Sequence, residues 1–180
     1  MNKIKTLIIG ESPFNSKEYE NLTYNEIEIE SEIINIAFIP KLKDKNYDLY
    51  NITSYRRILG VLFNKKISNE NIFIEYNSKV KKRIKTLAEK NIYLVNQSEL
   101  KADDGLHLAN HKNEIENIIC FGSKAAKYID SFQNKHDIKF NMYYFPHPSG
   151  RVHHPFWNDF AEDGKNYSDK ESLNIIQPPK

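Results

Sequence analysis

Four short apolar segments of this sequence are each followed by polar or charged side chains of the types that carry chemistry. The side chains in these positions are Glu11, Asn96, Lys124, His147 and Arg151. A carboxylate can stabilise developing positive charge, and an imidazole can stabilise developing negative charge. An amide can donate and accept hydrogen bonds at the same time. Together these groups could recognise a polar ring and stabilise opposite charges as a bond breaks.

The apolar segments themselves indicate how these side chains are positioned. They cover residues 5–9, 92–95, 118–121 and 142–145, and three of them are closed by Gly or Pro. Short apolar runs of this kind are typical of buried parallel strands. Ligands of an open parallel sheet collect outside the carboxyl ends of its strands. We therefore expect the side chains that follow the strands to meet at one edge of a sheet.

Helical patterns separate the strands. Apolar side chains recur at i, i+3, i+4 and i+7 in residues 53–63, 78–90 and 123–132. The expected N-cap residues are Thr53 or Ser54 for the first helix and Ser123 for the third. Alternating strands and helices predict an α/β fold, a three-layer α/β/α sandwich with a central four-stranded, mainly parallel sheet.

The pattern gives one domain over residues 1–180 and leaves one segment open. Residues 18–48 alternate acidic and apolar side chains, and this pattern fits a helix or a strand equally. No repeat or linker divides the chain. The length is sufficient for a single compact domain with its own core.

Composition excludes several classes of function. Cys120 is the only cysteine, so an intrachain disulfide and a cluster held by four thiolates are both excluded. The histidines lack the HExxH pattern that puts two ligands and a general base on one helix face, so we expect no metal site. No apolar stretch approaches the ~20 residues that span a bilayer, so we expect no membrane partner. A single cysteine suits a reducing cytosol, and we expect a cytoplasmic monomer. A net charge of only +2 means that any phosphate contacts come from a local patch.

Two motifs resemble those of the uracil-DNA glycosylase superfamily. Residues 10–14 (GESPF) resemble its first motif, which is GQDPY in the best-known branch and GEAPG in the iron–sulfur branch. Residues 147–151 (HPSGR) resemble its second motif, HPSPLS and relatives. Between them, LVN at residues 94–96 is similar to the LLN of the best-known branch. The motifs follow in the same order and spacing over nearly the whole chain.

The resemblance implies a DNA glycosylase that hydrolyses the N-glycosidic bond of uracil or a related damaged base, without a cofactor. Glu11 would orient water or stabilise the sugar cation, and His147 would stabilise the departing base. Asn96 and Phe14 would select the flipped base, and Arg151 or Val152 would fill the gap in the DNA stack. The other motif residues expected to contact substrate are Gly10, Pro13 and Ser149.

The first motif also departs from its relatives. The best-known branch has its catalytic Asp where this chain has Ser12, which could at most position a water molecule. Glu11 lies one residue earlier, as in the iron–sulfur branch, but the cysteines of that branch are missing. Two other functions therefore stay open: a glycosylase-like domain that binds nucleic acid or protein without cleavage, and a hydrolase of free nucleosides.

Each candidate residue also has a purely structural interpretation. Glu11 could cap a helix or pair with a lysine, His147 could be an ordinary loop residue, and Asn96 could form a turn. Aromatic residues are more often core than stacking platforms, which applies to Phe14, Phe156 and Trp157. The adjacent Arg56 and Arg57 could contact phosphate or simply belong to the polar face of a helix.

Overall fold

The structure is a computed structural model that describes residues 5–10, 22–29, 32–42, 48–102, 106–110, 112–157 and 170–177. Its centre is a sheet of four parallel strands in the order β4-β1-β5-β6. The strands are β1 Thr6–Gly10, β4 Ile92–Asn96, β5 Asn117–Phe121 and β6 Asn141–Phe145. All four predicted strands are confirmed to within a residue, and the sheet is entirely parallel.

Helices and apolar side chains cover both faces of this sheet, which confirms the α/β sandwich. Alternate residues of a strand point to opposite faces, so Ile8 and Leu94 join one buried cluster while Leu7 and Tyr93 join the other. The first cluster includes side chains of α1 Thr53–Phe63 and α2 Glu70–Ala88. The second includes side chains of α3 Gln97–Ala102, α4 Leu106–Asn110 and α5 Ser123–His136.

The starts of α1 and α5 agree with the sequence predictions, whereas the start of α2 and the predicted caps do not. Helix α2 begins eight residues earlier than expected because the side chain of Asn69 accepts a hydrogen bond from the backbone N–H of Ile72. The predicted side-chain caps of α1 and α5 are wrong. The N-cap positions belong to Ile52 and Gly122, and neither makes a side-chain cap hydrogen bond. Gly122 has φ 105°, a left-handed conformation that glycine adopts readily.

The undecided segment contains a two-stranded antiparallel hairpin, β2 Leu22–Ile29 with β3 Glu32–Leu42. Its pairing is interrupted, because Tyr24 faces Pro40 whereas Glu26 already faces Asn35. The four residues 36–39 of β3 thus lie opposite a single residue of β2 and form a bulge. All four are buried against α1 and the sheet.

Short 3-10 helices complete the described elements. They are Leu49–Asn51, Pro155–Trp157 and Lys170–Ile175. Arg83 of α2 donates hydrogen bonds to the carbonyl oxygens of Leu62 in α1 and of Ile176. These bonds hold the end of the last 3-10 helix, Lys170–Ile175, against α1 and α2. None of the helices in the described ranges is long and apolar enough to cross a membrane.

Candidate functional site at the carboxyl edge of the sheet

Two predicted site residues end adjacent strands at the carboxyl edge. Gly10 of β1 is paired in register with Asn96 of β4. By strand alternation Asn96 lies on the same face as Leu94, the face covered by α1 and the β3 bulge. Asn96 is only 2% exposed, and its Nδ2 has no hydrogen-bond partner among the described residues. An unpaired buried donor costs about 1–3 kcal/mol, so this amide is a candidate for ligand binding rather than for turn formation.

Phe38, in the β3 bulge, lies between Gly10 of β1 and two rings further along the sheet, those of Phe121 in β5 and His147 after β6. A methyl group on Gly10 would lie 2.6 Å from Cζ of Phe38, so the ring occupies the space directly over the glycine. The same ring meets His147 edge-on with centroids 6.5 Å apart, and Phe121 with centroids 5.9 Å apart. Asn96, Gly10, Phe38 and His147 therefore form a continuous row along the edge.

The backbone of Phe38 is strained. Its φ of 65° lies in the left-handed region, which a bulky side chain rarely adopts. Such strain persists only where surrounding packing imposes it, and it is concentrated at functional sites. The bulge supplies that packing because Ile36, Ala37 and Ile39 are all buried. The strained conformation places an aromatic ring at the sheet edge.

His147 follows β6 and has a defined tautomer. Its Nδ1 accepts a hydrogen bond of 3.1 Å from the backbone N–H of Ser149. An imidazole nitrogen that accepts carries no proton, so the proton of the neutral ring lies on Nε2. The carbonyl oxygen of His147 accepts a further bond of 3.1 Å from the indole N–H of Trp157. His147 is therefore oriented from both its backbone and its side chain, with Nε2 as a donor.

Arg57 of α1 holds the loop that carries His147. Its Nη1 donates to the carbonyl oxygens of Ser149 at 2.6 Å and of Val152 at 3.1 Å. Its guanidinium also lies over the ring of Trp157, 5.3 Å from the centroid. Burial first, and the charge of the neighbouring Arg56 second, lower the pKa of Arg57. Arg57 is thus a structural clamp for residues 147–152.

The rest of the loop packs closely on the start of α1. A methyl group on Gly150 would lie 3.3 Å from Cβ and Oγ1 of Thr53, so the glycine allows the close approach. The backbone N–H of Arg151 donates to Oγ of Ser149 at 3.3 Å, and Arg151 is exposed. This exposed cation is accessible to a ligand from the solvent.

The structure brings together part of the predicted site. Gly10, Asn96, His147 and Ser149 lie along the same edge, and Arg151 lies at the rim of the loop. The other predicted residues, Glu11, Ser12, Pro13 and Phe14, lie outside the described residues. Phe156 and Trp157 are buried, so their interpretation as core residues is confirmed.

Sequence reasoning missed Phe38 and named Arg57 only as a possible phosphate contact, not as the clamp of the loop. Phe38 escaped notice because it lies in the segment whose structure was undecided, although a Phe between Ala37 and Ile39 marks an apolar run. Arg57 was indistinguishable from a solvated helix residue, since its partners are 91 to 95 residues away in the sequence. Across the described part of the chain, no three His, Cys, Asp or Glu side chains are grouped so that they could hold a metal ion.

Comparisons with known proteins add no assignment to this geometry. A scan against protein-family models and searches of curated proteins and of solved structures found no match to the chain. The arrangement of the site residues and the resemblance of the two motifs are therefore the features that bear on function.

Proposed function

We propose that this protein is a monofunctional DNA glycosylase that hydrolyses the N-glycosidic bond of uracil or a related damaged base. The observation that carries the proposal is the buried amide of Asn96, whose Nδ2 has no partner among the described residues. It lies in the same row of residues as Gly10 and His147. The substrate class comes from the resemblance of the two motifs, and the geometry supplies groups that fit it.

Asn96 has the hydrogen-bonding character that a pyrimidine edge requires. Uracil presents an acceptor at O4 next to a donor at N3, and an amide can pair with both. The amide N–H of Asn96 would donate to O4, and its Oδ1 would accept from N3–H. Burial strengthens this selection, because a base without the matching edge leaves the amide unsatisfied. Cytosine, which has an amino group in place of O4, would be disfavoured.

His147 is suited to stabilise the departing base. Cleavage of the glycosidic bond leaves negative charge on the base and positive charge on the sugar. With its proton on Nε2, the neutral imidazole would donate to the O2 atom on which negative charge develops. The hydrogen bond from Ser149 prevents the tautomer in which Nε2 would be an acceptor. Phe38 would form an aromatic wall of the base pocket, since its ring already lies between Gly10 and His147.

Glu11 is the proposed group for the sugar and the attacking water. It directly follows Gly10 in the sequence, and Gly10 ends β1 beside Asn96. A carboxylate would stabilise the sugar cation or orient water for attack on it. Ser12, which carries no charge, would contribute through water positioning alone. Pro13 and Phe14 complete the loop that the resemblance assigns to substrate binding.

The decisive experiment is strand breakage at uracil. A DNA oligonucleotide with one uracil is incubated with the protein and then treated with alkali, which breaks the strand wherever a base has been removed. We expect breakage at the uracil and none in the matched thymine oligonucleotide. Binding without breakage would instead support a non-cleaving domain. Release of base from free uridine or deoxyuridine, with none from DNA, would support a nucleoside hydrolase.

Variants separate the roles of the site residues. His147→Ala should lower single-turnover excision by roughly 10²- to 10³-fold, as loss of one oxyanion donor does. The matched control is His153→Ala, because His153 is exposed on the same loop and has no proposed role. An excision rate of His147→Ala equal to that of wild type would remove His147 from the mechanism.

A second set of variants tests the first motif. Glu11→Gln keeps the shape of the side chain and should abolish most of the excision while DNA affinity is retained. Ser12→Ala should cost far less, and Ser12→Asp should restore part of the activity lost in Glu11→Gln. Equal rates for Glu11→Gln and wild type would exclude Glu11 as the essential carboxylate.

A further inference from the structure

A cavity of about 220 Å³ opens beside α1, and its lining is basic. Its lining consists of Thr53, Arg56, Arg57, Gly60, Lys65, Lys66, Ile67 and Trp157. Four of these side chains are cationic and none is acidic. A concave surface lined by one sign of charge concentrates ions of the opposite sign. The chemistry of the lining therefore selects an anion.

No carboxylate within the described part of the protein neutralises the positive charges of Arg56 and Lys65 in this cavity. Arg56 donates only a long bond of 3.4 Å to Oγ1 of Thr53 and lies over the ring of Tyr50. Its Nε is buried and has no hydrogen-bond partner there. Neither Arg56 nor Lys65 forms a salt bridge with any carboxylate of the described residues. An anion in the cavity would supply the missing countercharge.

Crowding of like charges in the same place supports this interpretation. Arg56 and Arg57 are adjacent in the sequence and both line the cavity. The charge of Arg56, after burial, is a cause of the lowered pKa of Arg57. Two guanidinium groups this close repel each other, and a bound anion relieves the repulsion. Arg57 already donates to loop carbonyls, so Arg56 and Lys65 are the groups that can contact a ligand.

We infer that this cavity binds a phosphate group of the DNA backbone, next to the nucleotide that enters the proposed base site. Guanidinium and ammonium groups are the preferred partners of phosphate, and the planar Arg fork can bind two phosphate oxygens. Trp157 and Ile67 provide an apolar wall for the adjoining sugar. The assignment of the anion to DNA rests on the proposed function, whereas the inference that an anion binds follows from the basic lining of the cavity alone.

The cavity is physically connected to the loop of His147. Arg57 and Trp157 line the cavity, and each also makes a hydrogen bond to a carbonyl oxygen of residues 147–152. Thr53 lines it too and packs against Gly150. A phosphate held here would therefore fix the DNA strand relative to His147. The cavity does not lie at the strand ends, but a phosphate bound in it would still hold the DNA strand in position for the base site.

Fluorescence of Trp157 reports on the cavity directly, because Trp157 is the only tryptophan of the chain. The protein is titrated with a short uracil-free single-stranded oligonucleotide, with thymidine monophosphate, and with inorganic phosphate, all at one ionic strength. We expect a saturable change with the oligonucleotide at concentrations at least ~10-fold below those needed for either small anion, because several phosphates are contacted along a strand. Tighter binding of a small anion would overturn the assignment to DNA.

A charge-matched pair of variants tests the location. Arg56→Gln/Lys65→Gln should weaken oligonucleotide binding by roughly 10-fold and reduce the slope of log affinity against log salt by about 1. The control, Lys81→Gln/Lys85→Gln, removes the same charge from exposed positions of α2 and should leave affinity within about 2-fold. Equal losses in both would refute a specific site. Lys65→Glu repeats the test at an exposed residue should the Arg56 substitution lower stability.

This experiment is independent of excision. Saturable binding that depends on Arg56 and Lys65, without breakage at uracil, would refute the proposed function and leave the phosphate site intact. Breakage at uracil with binding unaffected by these substitutions would refute the phosphate site alone.

Discussion

Arg57→Lys isolates the clamp on the His147 loop, because it keeps the positive charge and removes the planar fork. The substitution loses bonds to the carbonyl oxygens of Ser149 and Val152 and the stacking on Trp157. A hydrogen bond from a charged group contributes about 1.5–3 kcal/mol, and a cation over an aromatic ring about 0.5–1 kcal/mol. Both bonds come from one nitrogen and do not add fully. We expect the free energy of unfolding to fall by about 2 kcal/mol.

Urea unfolding followed by Trp157 fluorescence measures this loss. With the slope of about 1–3 kcal/mol per molar urea that is usual for small proteins, the midpoint should fall by about 1 M. Arg56→Lys is the control, since Arg56 makes no bond to the loop carbonyls. We expect it to lower the unfolding free energy by at most about 1 kcal/mol, because its stacking on Tyr50 is the main interaction that it weakens. A comparable loss in the two variants would show that the bonds of Arg57 to the loop carbonyls add nothing beyond the loss of any guanidinium, and that the clamp is not real.

Three further predictions follow from buried positions. Gly10→Ala should lower the unfolding free energy by about 1–3 kcal/mol, because its methyl group would overlap the Phe38 ring, and a Phe38→Leu background should recover part of the loss in urea titrations. Asn96→Leu should leave stability unchanged or raise it by about 1 kcal/mol, yet reduce excision by roughly 10²-fold, and a large loss of stability would show that the amide is structural. Burial, with the charge of Asp130 in second place, raises the pKa of Cys120 to about 12. At pH 8 a thiol reagent should therefore label Cys120 only on unfolding, and rapid labelling of the folded protein would contradict this.

The central sheet could be predicted because its signal is local. Each strand is a short apolar run, and burial on both faces makes the run continuous, as in β1 and β5. The start of α2 could not be placed because its first turns carry apolar side chains on both sides of the helix: Phe73 is buried, whereas Ile74 beside it is exposed. The cap at Asn69 depends on a hydrogen bond that the periodicity does not reveal. The hairpin was undecidable since its alternating pattern is interrupted by the bulge of residues 36–39.

The site shows the same division between local and long-range information. Asn96 and His147 could be named because strand ends can be read from the sequence: Asn96 ends β4, and His147 lies two residues after β6. The tautomer of His147 and the role of Arg57 depend on hydrogen bonds to particular backbone atoms, which no pattern encodes. The ring of Phe38 reaches the edge only through a left-handed backbone conformation, and nothing in its sequence neighbours predicts that conformation.

The strand order has a consequence for how the chain folds during synthesis. Strand β1 is an inner strand of the sheet, yet both its hydrogen-bonding neighbours, β4 and β5, come more than 80 residues later. About 110 residues must be translated after β1 before both neighbours exist, which takes about 5–20 s at ordinary elongation rates. During that time its apolar residues Leu7, Ile8 and Ile9 have no sheet to join. The nascent chain is thus most prone to aggregate, and most dependent on chaperones, until β5 leaves the ribosome.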